Sequence, residues 1–145
     1  MLALGSCRFQ DLTPAGSRRD EAAVLTVVSS LYQAIGARRL DAMQRITLPS
    51  ATALLTGDRT PPVLVPMRTM VEVPERRNQA AGVRIVRTEL RTDGDIATDR
   101  VVVVTRSANG RREFEAADNV VLARRDGSWR VAHVAFGPWK SRSAP

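Results

Sequence analysis

The stretch VRIVRTELRTDGDIATDRVVVVTRSANGRREFEAADNVVLARRDGSWRVAHVAF, residues 83–136, decides the fold. Three turn signals punctuate it: Asp93-Gly94, Asn109-Gly110 and Asp126-Gly127. Asn-Gly and Asp-Gly supply the two positive-φ residues of a tight hairpin turn, and apolar, β-branched runs flank all three pairs. The stretch therefore predicts a four-stranded antiparallel meander.

Two-residue loops also set a register. A loop at Asp126-Gly127 pairs Leu122 with Val131, Val120 with His133 and Asp118 with Ala135. A loop at Asn109-Gly110 pairs Val101 with Asp118 and Asp99 with Val120. A loop at Asp93-Gly94 pairs Thr88 with Asp99 and Val86 with Val101. Side chains alternate across a strand with period two. One face then collects Val86, Leu90, Val101, Val103, Val120, Leu122, Trp129 and Val131, with one polar cluster of Thr88, Asp99, Asp118 and His133 around Val120. The other face carries Arg87, Glu89, Arg100 and Arg130 beside an apolar patch of Val102, Val104, Ala117, Val121, Ala132, Val134 and Phe136. A bulge in any strand would reverse the parity beyond it.

The chain has 145 residues, enough for one domain with a real core. No apolar run approaches the roughly 18 residues of a membrane span. The net charge of +7 comes almost wholly from arginine, Lys140 being the one lysine. Such a charge suits a nucleic-acid or anionic-surface binder. It equally suits a solvated basic surface in a chain from a GC-rich coding sequence. The arginines are spread along the chain as pairs with no interleaved aromatic platform, so nucleic acid is not expected as a partner. One cysteine, Cys7, excludes an intrachain disulfide framework, and one cysteine with one histidine argues against a structural zinc site. No metal or cofactor motif is present. LALGSC around Cys7 resembles the end of a bacterial lipoprotein signal, but only Met1 to Ser6 precede it, too short for a working signal. As written, the expectation is a cytoplasmic chain; a periplasmic or membrane-anchored one follows if the true start lies upstream.

Residues 1–19 read as a tail, 20–138 as the domain and 139–145 as a second tail. A helix is expected from Asp20, with Ala23, Val27, Leu31 and Ala34 on one stripe, Val24, Val28 and Ile35 beside them, and Gly36 at its end. A second short helix spans about Leu40 to Thr47, stopped by Pro49. A short strand at 51–55, a proline-rich connector TPPVLVP, a third short helix from Met67 to Glu72 and a loop ERRNQAAG follow. The order predicts an α+β domain, with helices on one face of a curved sheet of four long strands and a short one.

Three strings carry a family resemblance: the opening helix followed by ARRLDAM, the hairpin DGDIAT, and the end LARRDGSWRVAHVAF. Together, over about residues 20–137, they resemble the nuclear transport factor 2-like superfamily, and within it the SnoaL-like and lumazine-binding-like bacterial branch. The resemblance implies a cone: a bent antiparallel sheet wrapped around about three helices, with a pocket at its wide end. It also implies a homodimer formed through the outer sheet face, where the register independently places the apolar patch. Activity is not implied. Some members are isomerases, dehydratases, cyclases or epoxide hydrolases acting on apolar ring compounds, and others only bind or scaffold.

The candidate catalytic residues are Asp118, His133 and Asp99. A carboxylate in an apolar pocket has its pKa raised and can exchange protons near neutral pH, where histidine already titrates. An Asp–His pair could move a proton in an isomerisation, dehydration or cyclisation without metal or nucleotide. The same residues also read as a satisfied structural hydrogen bond. Tyr32, Thr88, Val120 and Trp129 are the candidate ligand-binding residues; Tyr32 and Trp129 also read as core. The Asp-Arg-Asp network of the epoxide hydrolases and the early acid of the ketosteroid isomerases have no counterpart here. The functional expectation is a cone that binds an apolar small molecule, as a cofactor-independent enzyme or as a noncatalytic homodimeric module.

Overall fold

A computed structural model describes residues 15–57, 59–72, 82–107 and 109–142. Cys7 and its flanking segment, and the loop ERRNQAAG up to Ala81, lie outside the described residues. The element order is α1 (Ala15–Ala37), α2 (Leu40–Ile46), β1 (Thr47–Leu55), β2 (Val63–Pro66), α3 (Thr69–Glu72), β3 (Arg84–Asp93), β4 (Ile96–Arg106), β5 (Glu113–Arg125), β6 (Ser128–Phe136) and β7 (Lys140–Ser141). The strands form one sheet in the order β2-β1-β6-β5-β4-β3, with β7 paired to β5. This is the α+β architecture expected, with more strands. The proline-rich connector contributes β2, and Lys140 and Ser141 pair with Glu115 and Phe114. No described helix is long and apolar enough to cross a membrane.

α1 starts at Ala15, not Asp20, and ends one residue past Gly36. Its terminator is Arg38, at φ 57°. The Arg38 and Arg39 amides donate to the Ile35 and Ala34 carbonyls at 3.1 and 2.9 Å, the paired bonds of a Schellman cap. An arginine tolerates this left-handed position because its guanidinium donates to the Val71 carbonyl at 2.8 Å and ties α3 to the helix end. The buried residues of α1 are Val24, Val28, Leu31, Tyr32, Ala34 and Ile35. Of the expected stripe Ala23 is exposed and Val27 half-buried, so the core face is centred on Val24, Val28 and Ile35, whose side chains bury more apolar surface than Ala23 would. Pro49 does stop α2, but within an irregular first half of β1: between Thr47↔Val131 and Thr52↔His133 the β1 chain runs three residues longer than β6.

The three hairpins form, each with its own turn. At Asp126-Gly127 both residues have positive φ, 50° and 76°, and Arg125 faces Ser128, the type I′ arrangement. At the first hairpin only Gly94 has positive φ. Asp93 faces Ile96, so the loop is Gly94-Asp95, the II′ pattern that needs glycine first. This one-step displacement moves every partner by two and keeps the faces. Thr88 faces Val101, and Asp99 faces Leu90 rather than Thr88. A bulge at Val86 then reverses the parity. Val86, expected in the core, is 43% exposed, and Ile85 packs inward in its place. The β4–β5 ladder matches the expected register, including Val101↔Asp118 and Asp99↔Val120.

The decisive departure is in β6. Leu122 faces Val131 as expected, but Val121, not Val120, faces His133, and Ala132 is the extra residue of a β-bulge. Beyond it the faces exchange. Val134 stands opposite Val120 in the core, and Phe136 turns inward. His133 and Ala135 take the outer face. The expected outer patch therefore loses Val134 and Phe136. Val102 and Val104, which remain on that face, are 4% and 1% exposed within the single chain.

Candidate functional site

The inner face of the sheet and the C-terminal half of α1 enclose a cavity of about 470 Å³. Its wall combines Tyr32 and Ile35 of α1, Leu55 at the end of β1, Val63 of β2, Met70 of α3, Val103 of β4 and Asp118 of β5. The chain leaving β6, Phe136 to Trp139, closes one side. The volume falls within the range of small-ligand sites.

Asp118 is the polar centre of this wall. Its residue position on β5 faces inward because the β4–β5 ladder is unbroken, and it is 2% exposed. Tyr32 Oη donates to Asp118 Oδ2 at 2.5 Å, and the Gly137 amide donates to Oδ1 at 2.9 Å. Burial pushes the Asp118 carboxyl up to about 6, against the opposing pull of the Tyr32 and Gly137 hydrogen bonds. Burial also pushes the Tyr32 phenol well above its ordinary value, reinforced by the charge of Asp118. Tyr32 thus stays a donor at any physiological pH.

Gly137 holds its place by close approach. A Cβ there would lie 2.2 Å from the Ala117 carbonyl oxygen, so only glycine lets the chain run this close beside β5, between β6 and β7, and present its amide to Asp118. Thr56 secures the same segment by donating its hydroxyl to the Phe136 carbonyl at 2.7 Å.

Asp99 is the second inward acid, diagonal to Asp118 across β4 and β5, and 1% exposed. Neither carboxylate oxygen has a hydrogen-bond partner among the described residues. Burial raises its pKa, and the Glu89 main chain opposes this from outside hydrogen-bonding geometry. Asp99 does not reach the cavity wall.

The other candidates are dispersed. His133 lies beyond the Ala132 bulge with its Nδ1 2.8 Å from Thr52 Oγ1, on the face opposite Asp118. The expected Asp118–His133 pair is therefore not formed. Thr88 is exposed on the edge strand β3. Val120 is fully buried in the core. Trp129 is buried at the far end of β5, where the Arg124 guanidinium stacks 5.3 Å from its ring and pairs with Asp20 at 3.1 Å. Of the seven, Asp118 and Tyr32 line the cavity. Sequence reasoning missed Gly137, Phe136 and Trp139. The Gly-Pro pair after the last long strand was the available signal, since it marks a change of chain direction.

A bent sheet packed on helices around an open cavity defines a cone-shaped α+β domain. Solved structures place it further: the chain has the nuclear transport factor 2-like fold. An NTF2-like protein from Silicibacter pomeroyi superposes with a TM-score of 0.62 at 18% identity, over 87% of this chain and 98% of that one. An NTF2-like protein from Pseudomonas putida gives 0.67 at 13% identity, over 83% and 87%. The association domain of C. elegans CaMKII gives 0.63 at 16% identity, over 86% and 99%. No family model matches the chain, and no curated protein matches it in sequence.

Proposed function

We propose that this chain is a small-molecule-binding cone in which Asp118 exchanges a proton with an apolar ligand and Tyr32 keeps the carboxylate in place. The observation that carries the reading is a buried carboxylate with two donors on the wall of an open cavity. Its pKa of about 6 leaves it mostly ionised at pH 7 yet basic enough to accept a proton, the property required of a general base. In its catalytic form this is a cofactor-independent isomerase, dehydratase or cyclase. Asp118 takes the proton and His133 does not take part. The resemblance of the terminal hairpin to the SnoaL-like branch agrees with such chemistry.

The test is proton exchange. A panel of cyclic enones incubated with the protein in D2O should show incorporation of deuterium next to the carbonyl, read by NMR, and Asp118→Asn should abolish it. Ligand binding without exchange would reduce the proposal to a binding module. Absence of both would remove it.

Assembly as a homodimer through the outer face belongs to the same proposal. Val121 and Ala135 on that face, together with the likeness to an association domain, support it. Light scattering that finds a monomer at micromolar concentration would overturn it.

A further inference from the structure

We infer that the cavity selects ligands carrying a positively charged amine on an apolar frame, an inference that rests on reading the cone as a ligand site. The chain carries 22 basic residues and a net charge of +7. None of them is among the described residues that line the cavity. What lines it instead is one carboxylate and three aromatic rings, Tyr32, Phe136 and Trp139, from a chain with only three Phe, two Trp and one Tyr.

Each ligand charge meets this wall differently. An anionic ligand would face Asp118 with no counter-charge from the described lining. A neutral ligand would displace water from an ionised carboxylate and leave it further desolvated, which is costly for a charge without a partner. A cation compensates the charge it covers. Asp118 has acceptor capacity left, because a carboxylate offers about four lone-pair sites and Tyr32 and Gly137 occupy two. Aromatic faces add attraction for the same charge, strongest where water is excluded. Tyr32 comes from α1, and Phe136 and Trp139 come from the end of β6 and the chain after it, so rings from two parts of the fold line the same cavity as Asp118.

Three ligands of one length separate these cases: 3-phenylpropylamine, a cation at pH 7.5, 3-phenylpropanol and 3-phenylpropionate, titrated calorimetrically into the full chain at pH 7.5 and constant ionic strength. The cation should bind about tenfold more tightly than the alcohol, through the Asp118 charge and the rings together, and the carboxylate most weakly. Asp118→Asn should bring the cation and the alcohol to within about twofold of each other while leaving the alcohol's own affinity unchanged or improved. Should Asp118→Asn not fold, Phe136→Leu reports on the same preference, lowering the cation-to-alcohol ratio about threefold. Equal binding of cation and alcohol, or a ratio unmoved by the variant, overturns the inference while the ligand site stands. Failure of all three ligands to bind removes both.

Discussion

Tyr32 and Asp118 stand 86 positions apart in the chain and share a 2.5 Å hydrogen bond inside the cone. The hydroxyl holds the carboxylate ionised against burial. Tyr32→Phe should therefore raise the Asp118 pKa further, by about one unit, visible in the carboxyl carbon shift on NMR titration. It should also cost roughly 1–3 kcal/mol of stability at pH 7, the range for stripping a partner from a buried group. An unmoved titration would mean that the donor contributes nothing to Asp118.

The folded-state pKa of Asp118, about 6, lies above its ordinary value of 3.8. The folded state therefore binds the extra proton between those values. Stability from the protonated carboxyl is present below about pH 4 and is lost as pH rises through 6. Relative to Asp118→Asn, which does not titrate, the wild type should lose on the order of 3 kcal/mol between pH 4 and pH 7. Urea unfolding of both proteins across that window reads the difference. A constant difference would show that Asp118 is not desolvated.

Asp99, with both carboxylate oxygens unpartnered, should be a stability liability. Asp99→Val, flanked by Leu90 and Val120 on the neighbouring strands, is expected to gain roughly 1–3 kcal/mol at pH 7 in urea unfolding. A loss instead would reveal a compensating partner and return Asp99 to the candidate site.

Gly137→Ala should be strongly destabilising. The added carbon meets the Ala117 backbone, which cannot rotate away as a side chain would. A loss above about 2 kcal/mol in thermal unfolding is expected, together with loss of the amide bond to Asp118. Wild-type stability in this variant would show that the chain beside β5 can move away from Ala117.

His133→Gln should leave cavity binding untouched, because the imidazole bonds Thr52 on the other face. A stability loss of roughly 0.5–1.5 kcal/mol, one hydrogen bond's worth, is the expected effect. A tenfold fall in affinity for a cavity ligand would place His133 back beside Asp118.

Local chemistry in the sequence was sufficient for the hairpins, the α+β class and the inward placement of Asp118 and Asp99. Turn residues dictate backbone dihedrals within a few positions, and period-two alternation carries that decision along a ladder until something interrupts it. The interruptions were not legible. The extra residue at Ala132 and the one at Val86 answer to the curvature of a sheet that must close around α1, a demand set by elements far away in the chain. Ala132 alone decides that His133 leaves the site and that Val134 and Phe136 enter the cone. Likewise, nothing near Tyr32 announces Asp118, and nothing near Gly137 announces Ala117. The sequence by itself determined which of the four long strands pair and which acids turn inward. Only the tertiary structure decided what those acids meet, because a bulge moves whole faces, and a distant segment brings its donors to the acid, while the local pattern stays unchanged.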